Sequence, residues 1–193
     1  MNSFEIVASS TESTVVAEYT PEKRKSTDYQ SEAELEQDFI NRLVSQGYEY
    51  ITIKSEQDLI DNLRTQLEKL NNYIFFDKEW NEFYNSVISN GNDGIVEKTR
   101  KIQEDCLQNL TLDNGYVKNI KLIDKNNIHN NHLQVINQYE EEGGKRDTRY
   151  DVTILVNGLP LVHIELKKRG NAIREAFNQI NRYQRDSLSL IHI

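Results

Sequence analysis

Apolar residues recur at helical spacing through the first half of the chain and alternate at strand spacing near the end. Ser31-Glu32-Ala33-Glu34 has the form of a capping box, in which the Ser hydroxyl takes a free backbone N–H and Glu34 reaches back. Leu35, Phe39, Leu43 and Val44 follow on one helical face up to Gly47, a natural stop. A short strand is expected at Tyr50–Ile53. Ser55 can cap a second helix with Leu59, Ile60, Leu63 and Leu67 on its apolar side, and Asp77 a third that carries Trp80, Phe83, Tyr84 and Val87. The Asn90–Gly94 cluster is a turn, and a further helix is expected from Ile95 towards Leu107. These Leu and aromatic positions read as core and carry no chemistry.

The texture changes near Val117. Ile120, Leu122 and Ile123 suggest one strand and Leu133, Val135 and Ile136 another, joined through the polar run Asp124–Asn131. Glu140 to Thr148 is a charged loop with two glycines. The β-branched stretch Tyr150–Val156, the turn signal Asn157-Gly158 and the run Leu161–Lys167 read as a hairpin. Asn171 can cap a final helix with Ile173, Ala176, Phe177, Ile180 and Tyr183 on one side. Residues 1–30 show no sustained period and read as a flexible arm with a short strand at Thr14–Tyr19. The domain is expected over 31–193, with a helical insertion at 55–110 and the core at 117–186.

The 193 residues suit one sizeable domain. A single cysteine, Cys106, excludes an internal disulfide and a cysteine-based zinc site. No apolar run approaches the ~20 residues that span a bilayer, and Met1–Ser13 does not read as a secretory signal. A cytoplasmic location is expected. The formal charge of −8 argues against a wholly basic nucleic-acid surface. Yet Lys145–Arg185 holds nine Lys/Arg against four Asp/Glu, so the end of the chain can attract phosphate while the body stays acidic.

Chemistry concentrates in the hairpin. Asp151 opens one strand, and Glu165-Leu166-Lys167 ends the next. Strand side chains alternate, so Glu165 and Lys167 share a face and Leu166 takes the other. Two carboxylates and an ammonium that converge suit a hard divalent cation with several retained waters. Such an ion activates water and polarises a phosphodiester, and the ammonium can orient the attacking water. The same residues are also open to a plain reading as an exposed cross-strand ion pair of little worth. Register decides whether the three converge. A regular two-residue Asn157-Gly158 loop pairs Val156 with Leu159 and turns Asp151 away from Glu165. The site therefore requires an odd-length loop or a bulge, as in a type I turn with Gly158 left-handed.

Arg149 to Tyr183, RYDVTILVNGLPLVHIELKKRGNAIREAFNQINRY, resembles the nuclease region of the R subunit of type I restriction-modification enzymes. The stretches YQSEAELEQDFINRLVSQGYEYI and EKTRKIQED resemble the same subunit's N-terminus. The resemblance runs from about Tyr29 to Asp186 and joins a P-D-(D/E)-x-K signature to the Gln-x-x-x-Tyr motif of RecB-like nucleases. It implies an α/β restriction-endonuclease-like core, a mixed central sheet of about four strands flanked by helices. It implies Asp151 and Glu165 as Mg²⁺ ligands, Lys167 as the catalytic lysine, and Gln179 and Tyr183 beside them. An acidic residue on the first helix often completes such sites; Glu36 is the first choice and Glu32 the second. Lys168, Arg169, Arg174 and Arg182 are candidate DNA contacts.

The implied activity is metal-dependent cleavage of DNA, with specificity and methylation subunits as partners. No G-x-x-x-x-G-K-[ST] loop is present, so ATP belongs to a motor domain outside this sequence. The ending Leu188–Ile193 departs from the family, and the chain reads as a fragment or truncated product. That leaves a second reading open, a catalytically idle module that docks onto a restriction complex.

Overall fold

The computed structural model describes residues 3–9, 15–20, 31–112, 114–141, 148–167, 174, 177 and 178. Strands β1 (Ser3–Ser9) and β2 (Val15–Thr20) pair antiparallel, one strand more than the chain's pattern suggests before Ser31. Helix α1 (Glu32–Ser45) begins with the expected capping box: the Ser31 hydroxyl accepts from the Glu34 N–H at 3.2 Å, and the Ser31 N–H donates to Glu34 at 2.8 Å. Strand β3 (Glu49–Tyr50) is shorter than expected. Helix α2 (Glu56–Asn71) carries its own box at Ser55 and ends on Asn72 in the left-handed region.

Helix α3 (Asp77–Phe83) starts one residue earlier than the expected cap at Asp77 would place it, because Phe76 is the N-cap and Glu79 takes its N–H. Helix α4 (Ile95–Gln103) stops short of Leu107. The chain enters strand β4 (Leu107–Thr111), which pairs with β5 (Val117–Lys121) in a separate hairpin. Only Leu110 is buried in β4, so its sequence carries no alternation to betray it. This hairpin packs with α2 and α3 around Leu63, Leu67, Phe75, Trp80, Phe83, Leu110 and Ile120.

The second layer is a four-stranded mixed sheet of order β3-β6-β7-β8, where β6 is Leu133–Glu141, β7 Thr148–Val156 and β8 Leu159–Ile164. β3 runs parallel to β6, and the other pairs are antiparallel. Helix α1 covers one face through Ile40 and Leu43 against Val135 and Val152, with Ile164 and Leu166 at the margin. The fold is α/β, consistent with a restriction-endonuclease-like core. Among the described residues no helix is long and apolar enough to cross a membrane.

The polar run after β5 is built rather than slack. Asp124 is 5% exposed and accepts hydrogen bonds from the N–H groups of Asn126 and Asn127, the Asn130 amide and Lys121. The Asn130 amide, then the Asn127 N–H, then Lys121 hold its carboxyl well below the usual carboxylate range. A depressed carboxylate contributes stability that is complete above its ordinary value and lost as pH falls through the folded one. Asp124→Asn is therefore expected to melt lower than the parent at pH 7. The gap should narrow as pH drops below about 4. Melting curves across this range check it, and a gap that does not change with pH would count against a role for the charge.

Candidate active site

Asp151 and Glu165 meet because β8 carries one extra residue. The turn is a two-residue type I′ loop, with Asn157 at φ 52° and Gly158 at φ 81°, so Val156 does pair with Leu159. Left regular, this hairpin would turn Asp151 away from Glu165. The register shifts at the next step. Leu155 faces Pro160 but Ile154 faces Val162, which leaves Leu161 as a bulge. Downstream pairing then runs Thr153 to His163 and ends at Val152 with Ile164, the residues next to Asp151 and Glu165. The turn is thus of another type than a type I loop, and the bulge supplies the correction that the shared face demands. Pro160 lies beside the bulge on a strand with a free edge among the described residues, where a missing N–H is tolerated.

The geometry that follows is compact. The Asp151 carboxylate accepts the N–H of Leu166, the residue between Glu165 and Lys167, at 2.8 Å. Leu166 itself packs at the edge of the α1 cluster, so Glu165 and Lys167 take the other direction. Lys167 Nζ donates to Glu165 Oε1 at 2.8 Å. The Glu165 side chain is only 3% exposed and that of Lys167 20%. Burial pushes the Glu165 carboxyl up, opposed by its bond to Lys167 and aided by the charge of Asp151. Burial works to lower Lys167, but the bond to Glu165 and the charges of Glu165, Asp151 and Glu32 outweigh it, and the net direction is upward. Lys167 therefore stays an ammonium.

The two acidic candidates on α1 separate. Glu32 acts on both Glu165 and Lys167 through its charge. Glu36, one turn on, is 8% exposed and accepts from the Asn137 amide at 2.6 Å and from the Gln138 amide, both on β6. Asn137 and Gln138 carry no sequence signal that would have singled them out. Arg174 is helical and exposed. Gln179, Tyr183, Lys168, Arg169 and Arg182 lie outside the described residues. His163 stacks on Tyr150 at 4.3 Å between ring centroids and bonds Thr153, and His132 bonds Gln66.

Among the described residues no group of three or more His, Cys, Asp or Glu stands ready to hold a metal by itself. The donors at hand are two carboxylates. A buried Glu165 raised partly by Asp151 is the pair a divalent cation would relieve, and two oxygen donors suit Mg²⁺, which keeps several waters.

Residues 29–193 match the family model described as Type I restriction enzyme R protein N terminus. Over 184 residues the chain is 47% identical to the Escherichia coli protein named type I restriction enzyme EcoprrI endonuclease subunit, covering 95% of this chain and 58% of that relative. Over 164 residues it is 40% identical to the Staphylococcus saprophyticus protein named type I restriction enzyme SsaAORF53P endonuclease subunit, covering 82% of this chain and 17% of that one. A Methanocaldococcus jannaschii protein named putative type I restriction enzyme MjaVIIIP endonuclease subunit is 36% identical over 90 residues. The chain thus spans little more than half of the first relative and about a sixth of the second.

Proposed function

Since this chain belongs to the family of type I restriction enzyme R protein N termini, we propose that it is the endonuclease domain of such an enzyme. It hydrolyses DNA phosphodiester bonds with Asp151, Glu165 and Lys167 and uses Mg²⁺. The observation that carries this reading is the hydrogen bond from the Leu166 N–H to Asp151. It ties Asp151 of β7 to the segment just after β8 that carries Glu165 and Lys167, in the register that the bulge at Leu161 sets.

Asp151 and Glu165 would hold the ion, and Glu32 stands near enough to add negative charge. When bound, the ion would polarise the scissile phosphate and make water more acidic. Lys167, kept charged, donates hydrogen bonds to the attacking water or to the phosphate oxygens on which negative charge builds. Leu166 fixes the spacing by anchoring the strand end in the α1 core. DNA is the substrate. Specificity and methylation subunits are the expected partners, and they would select the site on DNA.

The purified chain should bind Mn²⁺ in a calorimetric titration, and Glu165→Gln should weaken that binding by about tenfold or more, since a charged ligand becomes neutral. A parent chain that binds no divalent ion would favour the docking module instead. Equal binding by parent and variant would remove Glu165 from the site.

A further inference from the structure

The ladder between β6 and β7 is open at one rung. Pairing runs from Leu133 with Val156 to Asn137 with Val152, skips one pair, and resumes at Tyr139 with Tyr150 in the same register. The skipped residues are Gln138 and Asp151. Gln138 stands at φ 53°, a left-handed conformation rare for a non-glycine residue and out of keeping with a strand interior. On the other side of β7, described pairing with β8 ends at Val152 with Ile164. Among the described residues Asp151 therefore has no ladder partner on β6 or β8, and its carboxylate bonds the Leu166 N–H.

A left-handed glutamine persists only where its surroundings hold it. Here the holder is Glu36. Its two carboxylate oxygens accept the Asn137 amide at 2.6 Å and the Gln138 amide. The Asn137 amide is fixed at its other end as well, because the Tyr50 hydroxyl donates to its Oδ1 at 2.8 Å. Glu36 is 8% exposed and sits between Leu35 and Gln37 on α1, a helix anchored to the sheet by Ile40 and Leu43. A carboxylate so buried and so bonded is committed to β6. A regular rung would set the Gln138 and Asp151 side chains side by side on one face. The left-handed turn at Gln138 sends the glutamine to α1 instead and leaves Asp151 clear.

We propose that Glu36 and Gln138 form a clamp that keeps β6 left-handed opposite Asp151 and so sets that carboxylate for metal binding. Glu36 is then a positioning residue and not a ligand, and Glu32 is the α1 acid whose charge reaches the site. This rests on the metal-site reading above, and the experiment separates the two.

Mn²⁺ binding is measured on the purified full chain by calorimetry for the parent, Asp151→Ala, Glu36→Ala, Gln138→Gly and the Glu36→Ala/Gln138→Gly double variant. Asp151→Ala tests the underlying reading and should lose binding; if it binds as the parent does, the metal site falls. Glu36→Ala should bind about tenfold more weakly, because the strained conformer loses its support. Gln138→Gly should bind within about threefold of the parent, since glycine takes positive φ freely. In that background Glu36→Ala should make less than about a threefold further difference. A merely structural or ligating Glu36 would give the same tenfold loss in both backgrounds, and that result overturns the clamp. So does a Glu36→Ala variant that binds as tightly as the parent. The ¹³Cα and ¹³Cβ shifts of residue 138 supply a readout without metal: Glu36→Ala should move them from left-handed to extended values, and a residue that stays left-handed refutes the clamp even if no metal binds. If Glu36→Ala does not fold, Glu36→Gln enters the same comparisons, because its side-chain oxygen can accept only one of the two amides well.

Discussion

Asp151→Asn is expected to abolish DNA cleavage by the assembled enzyme, by at least about a hundredfold, with the fold essentially intact. The two consequences come from different atoms of one side chain. Asp151 contributes to the hairpin through one oxygen, which accepts the Leu166 N–H at 2.8 Å. The asparagine oxygen can accept the same bond in the same place, so stability should change by no more than about 1 kcal/mol. What asparagine cannot supply is the negative charge beside Glu165. Loss of one preorganised electrostatic partner in an active site typically costs about 10²–10³ in rate, and a metal ligand reduced from anion to amide belongs at the upper end. The check is cleavage of a plasmid bearing the recognition site by the reconstituted complex with ATP and Mg²⁺, beside a thermal melt of the variant. Cleavage within threefold of the parent's rate would sink the assignment of Asp151. A collapse of the melt would show that its carboxylate is structural.

The acidic residues and the lysine were legible because strand alternation gives Glu165 and Lys167 one face and Leu166 the other, and Leu166 does pack toward α1. The need for a bulge was legible too, since a two-residue turn without one puts Asp151 on the wrong side. The place of the bulge was not. Nothing in Leu159-Pro160-Leu161-Val162 marks Leu161 as the unpaired residue except proximity to a proline, and the turn residues satisfied a type I′ loop as readily as a type I loop. The capping box at Ser31 and the N-cap at Ser55 are legible because these signals are local; the Asp58 half of the Ser55 box emerges only in the structure.

Features set by partners far along the chain stayed hidden. β4 forms because β5 offers it a ladder, and with only Leu110 buried it has no period of its own. Glu36 is the first choice for the site from the sequence and Glu32, four residues earlier, the second. Their surroundings differ only once Asn137 and Gln138, about a hundred residues on, present their amides to Glu36. A positive φ at a glutamine has no sequence signature at all.

Gly158→Ala is expected to destabilise the domain by about 3–4 kcal/mol, which for a chain of this size lowers the melting temperature by roughly 10 °C. Two independent penalties meet at this residue. Its φ of 81° lies where an L-residue is strained, at about 1–2 kcal/mol for alanine. In addition, a Cβ built there would lie 2.6 Å from the Leu63 Cα and 3.1 Å from the Leu63 N. Those are backbone atoms in the middle of α2, so no flexible side chain can swing aside, and forced overpacking of this kind costs about 1–3 kcal/mol. Relief by lifting the turn is blocked by its neighbour. Asn157 is 1% exposed, its amide donates to the Leu122 carbonyl and to Asn131, and its Oδ1 accepts the His132 N–H at 2.8 Å. Lifting the turn would break these bonds in a buried setting, where an unsatisfied group costs about as much again. The turn is also where the β7–β8 register begins, so a variant that survives by shifting the hairpin should lose Mn²⁺ binding along with stability. Asn157→Gly is the control. It keeps a residue tolerant of positive φ and leaves the approach to Leu63 unchanged, so whatever stability it loses reports the side-chain bonds alone. A Gly158→Ala variant that melts within about 2 °C of the parent would show that the turn is not seated on α2 as described.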